Sequence, residues 1–507
     1  MQKLTLLIVA ITLGACSQKP EATATVEGVG VVEGANGGRV VAVTTSSPEA
    51  RAEFDKAMLA WDNAYEPGVA EHLQKAIDLD PTFAQAHAYL GAITPGVEGQ
   101  TELERAVSMA AKLPDLERQV IQARMLRKRG DAGRAIEMAR QVTALAPDDL
   151  RTWLFIGSVA MDDLRRFDEA ESALRRASEL APKTGGVFNN LGYVYAAQKK
   201  WDAAIAAFKQ YAALTPNEAN PHDSLAEGYL NANRLEEAKA SFAKATEVQP
   251  SFFPAWMGLA QARALTGDFK GATDAIAKGR AGALLPREQV SGYVNLYVAQ
   301  AAEGRMADAL KTLAQGEKEA EAANLPLYAS MALDKAFLLA DSGNGVEAVR
   351  ESVEGLARAD RLQLPGDAAA STRLLGLSMR AYGEIVQKKE IEAVKTIAAL
   401  EEETRKATAS PWTASSYHWI KGELALSRGD APAAVAELKQ CIEIDGYCQL
   451  RLMKAMEKAG DVSGAQVLKQ KIIDNPLRDP WYLFARAKLG SIPKPAAATA
   501  STGVDKK

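Results

Sequence analysis

Three cysteines and four histidines among 507 residues are the scarce side chains from which metal or nucleophilic chemistry would have to be built. His72, His87, His222 and His418 lie far apart, and no C-x-x-C or H-E-x-x-H spacing brings ligands onto one turn. The sequence also has no G-x-x-x-x-G-K-[ST] phosphate loop and no G-x-S-x-G nucleophile elbow. Gly28-Val29-Gly30-Val31-Val32-Glu33-Gly34 comes near a dinucleotide fingerprint, but its spacing is off by one and no helical pattern opens behind it. Carboxylate runs such as Glu401-Glu402-Glu403 fall on amphipathic stretches, where they face water. Arg124, Arg127, Lys128, Arg129 and Arg134 read as the solvated end of a hairpin, with an acidic or phosphate-bearing partner as the alternative. His87 reads as a packed, structural ring. The chain is therefore expected to be non-enzymatic, with no cofactor and no metal.

Composition narrows the class further. Sixty Lys+Arg against 64 Asp+Glu give a formal charge of -4, without the basic excess typical of a nucleic-acid binder. Three cysteines are too few for a disulfide scaffold of this length. No run reaches the roughly 18 apolar residues that cross a bilayer.

The N-terminus reads as an address. Lys3 precedes the uncharged apolar run Leu4–Leu13, which ends in Leu13-Gly14-Ala15-Cys16. That ending resembles the lipobox of bacterial lipoproteins. The resemblance implies cleavage of residues 1–15, acylation of Cys16 and anchoring by several chains, which hold a membrane far better than one. Ser17 at the next position implies, by the Gram-negative sorting rule, an outer-membrane lipoprotein facing the periplasm. Residues 16–47, rich in Gly, Ala, Thr, Val and Ser, read as a flexible tether with an r.m.s. reach of roughly 30 Å. Two valine-rich pieces, 29–32 and 40–43, can form a short strand pair within it. Export would place Cys441 and Cys448, which straddle the turn 442–447, where a disulfide can persist; two unbonded thiols are the alternative.

The elements that would position any site are announced by proline. Pro81, Pro114, Pro147, Pro182, Pro216 and Pro250 recur at intervals of 33 to 35, each stopping one helical run and tolerated in the first turn of the next. Between them, Leu191, Gly192, Tyr195, Ala204, Phe208 and Pro216 occupy the places of the tetratricopeptide-repeat signature. Leu225, Ala226, Tyr229, Ala238, Phe242, Ala245 and Pro250 repeat them. Trp153, Ile156, Gly157, Ala170, Leu174, Ala177 and Pro182 fit with one extra residue in the turn. The sequence thus resembles tetratricopeptide-repeat proteins, which implies an all-α superhelix, an α-solenoid of antiparallel helix hairpins. Regular repeats are expected over 48–286, divergent hairpins over 287–490 and a disordered tail over 491–507.

In that family the first helix of each hairpin lines a groove that holds a peptide or a helix. Carrying the family positions over gives Leu154 and Ser158, Asn189 and Tyr193, Asp223 and Glu227, then Met257 and Gln261. Asp223 and Glu227 put negative charge where a clamp for a C-terminal carboxylate would want positive charge. A neutral or basic segment with apolar anchors suits this face better. The resemblance implies an envelope adaptor or assembly scaffold that binds other proteins or peptides, with its oligomeric state left open. The alternative is a glycan-binding outer-membrane lipoprotein.

Overall fold

Most of the helical hairpins close their turns on a backbone conformation that few residues tolerate. A computed structural model describes residues 29–34, 37–63, 68–364, 366–406, 411–474 and 480–493. The leader 1–15, Cys16 and residues 494–507 of the tail lie outside the described residues. Two compact units divide at Pro182/Lys183.

The first unit opens with strands β1 (Val31–Glu33) and β2 (Arg39–Val41). It continues with α1 (Pro48–Asp62), α2 (Val69–Leu79), α3 (Ala84–Ile93), α4 (Gly96–Ala110), α5 (Asp115–Lys128), α6 (Ala132–Leu145), α7 (Leu150–Ser158) and α8 (Phe167–Leu180). The second unit holds α9 (Gly185–Ala197), α10 (Trp201–Leu214), α11 (Ala219–Asn231), α12 (Leu235–Val248), α13 (Phe253–Leu265), α14 (Phe269–Gly282), α15 (Pro286–Glu303) and α16 (Met306–Ala322). Then follow α17 (Leu327–Asp341), α18 (Gly345–Leu362), α19 (Gly366–Val386), α20 (Glu390–Lys406), α21 (Pro411–Ser427), α22 (Ala431–Leu438), α23 (Gly446–Lys458), α24 (Val462–Asp474) and α25 (Pro480–Lys488).

From α5 onward, the first helix of each hairpin ends on a residue of positive φ: Gly130, Arg165, Lys199, Asn233 and Gly267, then Gly304, Gly343, Lys388, Gly429 and Gly460. The next N–H reaches back to a carbonyl that the helix leaves unpaired, as from Lys200 to Tyr195 (2.8 Å) and from Asp461 to Met456 (2.9 Å). This mark persists after residue 286, where the proline period stops. The extra residue between Pro147 and Pro182 is absorbed by a π turn, Val159–Asp163, where Leu164 N–H bonds the Val159 carbonyl at 3.1 Å.

Proline carries a second role in the turns between hairpins. Six residues after it, a ring N–H donates to its carbonyl: Trp153 to Pro147 (2.9 Å), His222 to Pro216 (3.0 Å), Trp256 to Pro250 (2.8 Å) and His87 to Pro81 (3.1 Å). His87, which also bonds Glu102 at 2.7 Å and is buried, is a structural ring of this kind. The two helices of a hairpin meet where a side chain is missing. A Cβ on Gly157 would come within 2.7 Å of Leu174, and one on Gly192 would run into the Phe208 ring. In the second unit an apolar core extends from Ile205 to Ala485.

The segment read as a tether departs from that reading over its described part. Val31–Glu33 and Arg39–Val41 pair antiparallel, and Val41 packs with Leu116, Val120, Val142 and Ala146. The hairpin is pinned by distant polar groups: Arg39 N–H to Asp148 (2.9 Å), Val41 N–H to Asp149 (3.2 Å) and Thr44 N–H to Glu117 (2.9 Å). Gly30 is required by close approach, since a Cβ there would lie 2.6 Å from Pro114. Alternating valines bury one face of a strand once an apolar helix edge is offered, which a local reading of composition does not reveal. At the other end, Gly267 faces the Pro493 carbonyl, so residues after α25 pack on the α13–α14 turn. Cys441 and Cys448 are joined as a disulfide, with Cα atoms 6.5 Å apart.

Gly192→Val should lower unfolding free energy by about 1–3 kcal/mol, because the added carbons must displace the Phe208 ring; urea melts indistinguishable from wild type would refute this packing. Loss of the Cys441–Cys448 bridge should cost roughly 2–3 kcal/mol. Both thiols are expected to alkylate only after reduction, and labelling of the unreduced protein at either position would show that the bond is absent.

Candidate functional site

The first helices of the second unit touch in unbroken succession, α9 to α11 and onward through α13, α15, α17, α19, α21 and α23. They form one wall. From α15 onward each of them contributes one ring to it: Tyr297, Phe337, Tyr382, Trp419 and Tyr447. Phe337 meets Tyr447 at 4.8 Å between centroids, Tyr382 meets Trp419 at 5.2 Å, and Trp419 meets Tyr447 at 5.8 Å. Edge-on ring pairs at such distances add to the burial of their area.

This wall is occupied by the chain's own last helix. α25 packs on α15 and also touches α13, α23 and α24. Its Trp481 stands edge-on to Phe337 at 4.9 Å and 6.2 Å from Tyr297, while Phe484 lies 6.0 Å from Phe337. Charge adds to the seating. The Lys488 ammonium pairs with Asp341 at 2.6 Å, and the other Asp341 oxygen accepts from the Tyr447 hydroxyl at 2.7 Å. Arg451 grips Glu423 through two bonds next to these rings; burial disfavours the guanidinium's charge, but the carboxylate beside it more than offsets this and raises the Arg451 pKa.

One carboxyl of α17 is held in an unusual state. Asp334 lies one turn before Phe337 and accepts from the Tyr297 hydroxyl. The protein packed around it strips its water and pushes it up to about 7, against the opposing effect of that hydrogen bond. A carboxyl raised above its unfolded value of about 4 favours the folded state only while protonated. The stability it allows is fully present below pH 4 and is lost as pH rises towards 7.

The first unit has a different wall. Trp61 on α1 stands edge-on to Tyr89 on α3 (5.6 Å), and the Arg124 guanidinium of α5 lies 4.0 Å from the Tyr89 ring and 5.3 Å from Phe155 of α7. Arg151 of α7 pairs with the buried Asp62 of α1 at 3.3 Å. Burial raises the Asp62 pKa despite that partner. Arg124 thus departs from the expectation of a solvated basic run: the space between two rings is the lowest-energy place for its flat cation. Arg127 is bound to Ser158, Asp162 and Asp163, Lys128 to the Thr94 carbonyl, and Arg129 and Arg134 to Glu104 and Asp131.

The eight positions carried over from the family do not form an open surface. Leu154, Asn189, Asp223, Met257 and Gln261 are buried, and Ser158, Tyr193 and Glu227 are half-buried. The Tyr193 hydroxyl reaches Ser224 and Glu227, both at 3.3 Å. Met257 turns towards Gly279 inside its own hairpin, and Gln261 lines a small space with Leu483 of α25. The aromatic row at 297, 337, 382, 419 and 447 was missed by sequence reasoning; its unequal intervals hide it from any fixed repeat frame. Among the described residues no group of three or more His, Cys, Asp or Glu is arranged to hold a metal ion.

A family model for the tetratricopeptide repeat matches residues 122–182, 162–219 and 224–283. The chain thus carries tetratricopeptide repeats over these residues. Its α-solenoid is similar to the solved structure of PilW, a type IV pilus biogenesis factor, at 19% identity over 39% of this chain and 91% of that one, with a TM-score of 0.34. It is also similar to TTC0263, a thermophilic repeat protein of Thermus thermophilus, at 23% identity over 42% and 98%, with a TM-score of 0.30. Anaphase-promoting complex subunit 7 of Dictyostelium discoideum is 22% identical over 195 residues, 38% of this chain. The chain spans 33% of that relative's length.

Asp334→Asn should make the repeat protein more stable than wild type at pH 8, with the difference shrinking as pH falls to 5. Parallel thermal melts across that range check this; an equal difference at both ends would contradict the assigned state of Asp334.

Proposed function

We propose that this protein is a non-enzymatic, lipid-anchored adaptor or assembly scaffold of the bacterial envelope. Cys16 would carry the anchor, and the tetratricopeptide repeats would hold other proteins or peptides. The observation that supports the binding role most directly is α25 itself: a helix lies on the first-helix wall of the second unit, so that wall accepts a helical polypeptide. On the same wall the half-buried Tyr193 and Glu227, joined through the Tyr193 hydroxyl, are proposed to meet a neutral or basic segment. The glycan-binding alternative gains no support, because the ring row packs against α25 instead of standing on long loops.

The localisation rests on the Leu13-Gly14-Ala15-Cys16 sequence and on Ser17. Cys16→Ala should move the protein from the detergent-requiring membrane fraction to the soluble or unprocessed fraction. A variant still anchored would reject the lipid tether while leaving the repeat fold intact.

A further inference from the structure

α25 has nine residues, too few for a helix to persist in water on its own, so its hold comes from the wall. That hold is uneven. Trp481 and Phe484, three positions apart, press on Phe337, and Lys488 one turn later meets Asp341. Against this, Arg486 is only 5% exposed, and its Nε and Nη1 atoms have no hydrogen-bond partner. Burial lowers the pKa of this guanidinium, and the nearest relief is the more distant charge of Asp474. A buried cation with unmet donors is one of the costliest features a packed helix can carry. α25 therefore fits the wall through its rings and its lysine and fits badly at Arg486.

We infer that the ring-lined wall of the second unit is a binding surface for an amphipathic helix bearing two aromatic residues three positions apart and a basic residue one turn later, and that α25 is its occupant in cis. The partner that displaces α25 has an uncharged apolar residue where this chain has Arg486. The inference rests on the adaptor reading and names its partner class.

Labelled peptides of residues 480–493 test it by fluorescence anisotropy against the full chain. The Arg486→Leu peptide should be captured at least about tenfold more tightly than the native peptide, since it removes the unmet charge. A peptide with Trp481→Ala and Phe484→Ala should not be captured. Lys488→Glu in the full chain, which weakens the resident helix without touching the apolar core, should raise capture of both ring-bearing peptides. Circular dichroism verifies that this variant folds. No capture by the folded Lys488→Glu chain, or capture indifferent to Trp481 and Phe484, would overturn the inference. Such failure would leave the membrane fractionation of Cys16→Ala unaffected, so the two readings fail separately.

Discussion

Two antiparallel helices cannot hide their own apolar stripe, and everything in this protein follows from where that stripe is covered. Within each unit one hairpin leans on the next, through contacts as close as Gly258 of α13 against Phe242 of α12. Most of the second unit, from Ile205 to Ala485, accordingly shares one continuous core. A stack of this kind has a row of first helices with side chains left over. In the second unit that row carries rings, and the chain covers them with α25.

The second unit also buries polar groups at a chemical cost. Asp334 is stripped of water beside Tyr297, and Arg486 is buried without acceptors for two of its nitrogens. Neither is needed to hold a solenoid together, since hairpins elsewhere close with left-handed turns and side-chain caps such as Asp131, Asp268 and Asp430. The first unit places its polar groups differently, with Arg124 between Tyr89 and Phe155 and Arg151 against Asp62. The two walls therefore differ in chemistry.

Much of the fold was legible because it is local. A proline every 33 to 35 residues marks the turn between hairpins, although the bond from the ring six residues later, whether Trp153, His222, Trp256 or His87, to its carbonyl emerged only from the structure. What stayed hidden depends on contacts far apart in sequence. The strand pair near Val31 and Val41 needs Asp148 and Glu117, some 70 to 110 residues away, to be more than a linker. The row Tyr297, Phe337, Tyr382, Trp419 and Tyr447 has no constant period, because the helices beyond residue 286 differ in length. The carried-over positions failed as an open groove for the same reason. Gln261 is covered by a helix more than 200 residues downstream, which no repeat alignment contains.

The central claim is that polypeptide partners meet the first helices. A photo-reactive residue placed at Trp61 or Tyr193, compared with one at the exposed Lys244 on a second helix, tests it most directly in living cells. The account predicts discrete protein adducts from the first two positions and none from Lys244; adducts from Lys244 alone would contradict it.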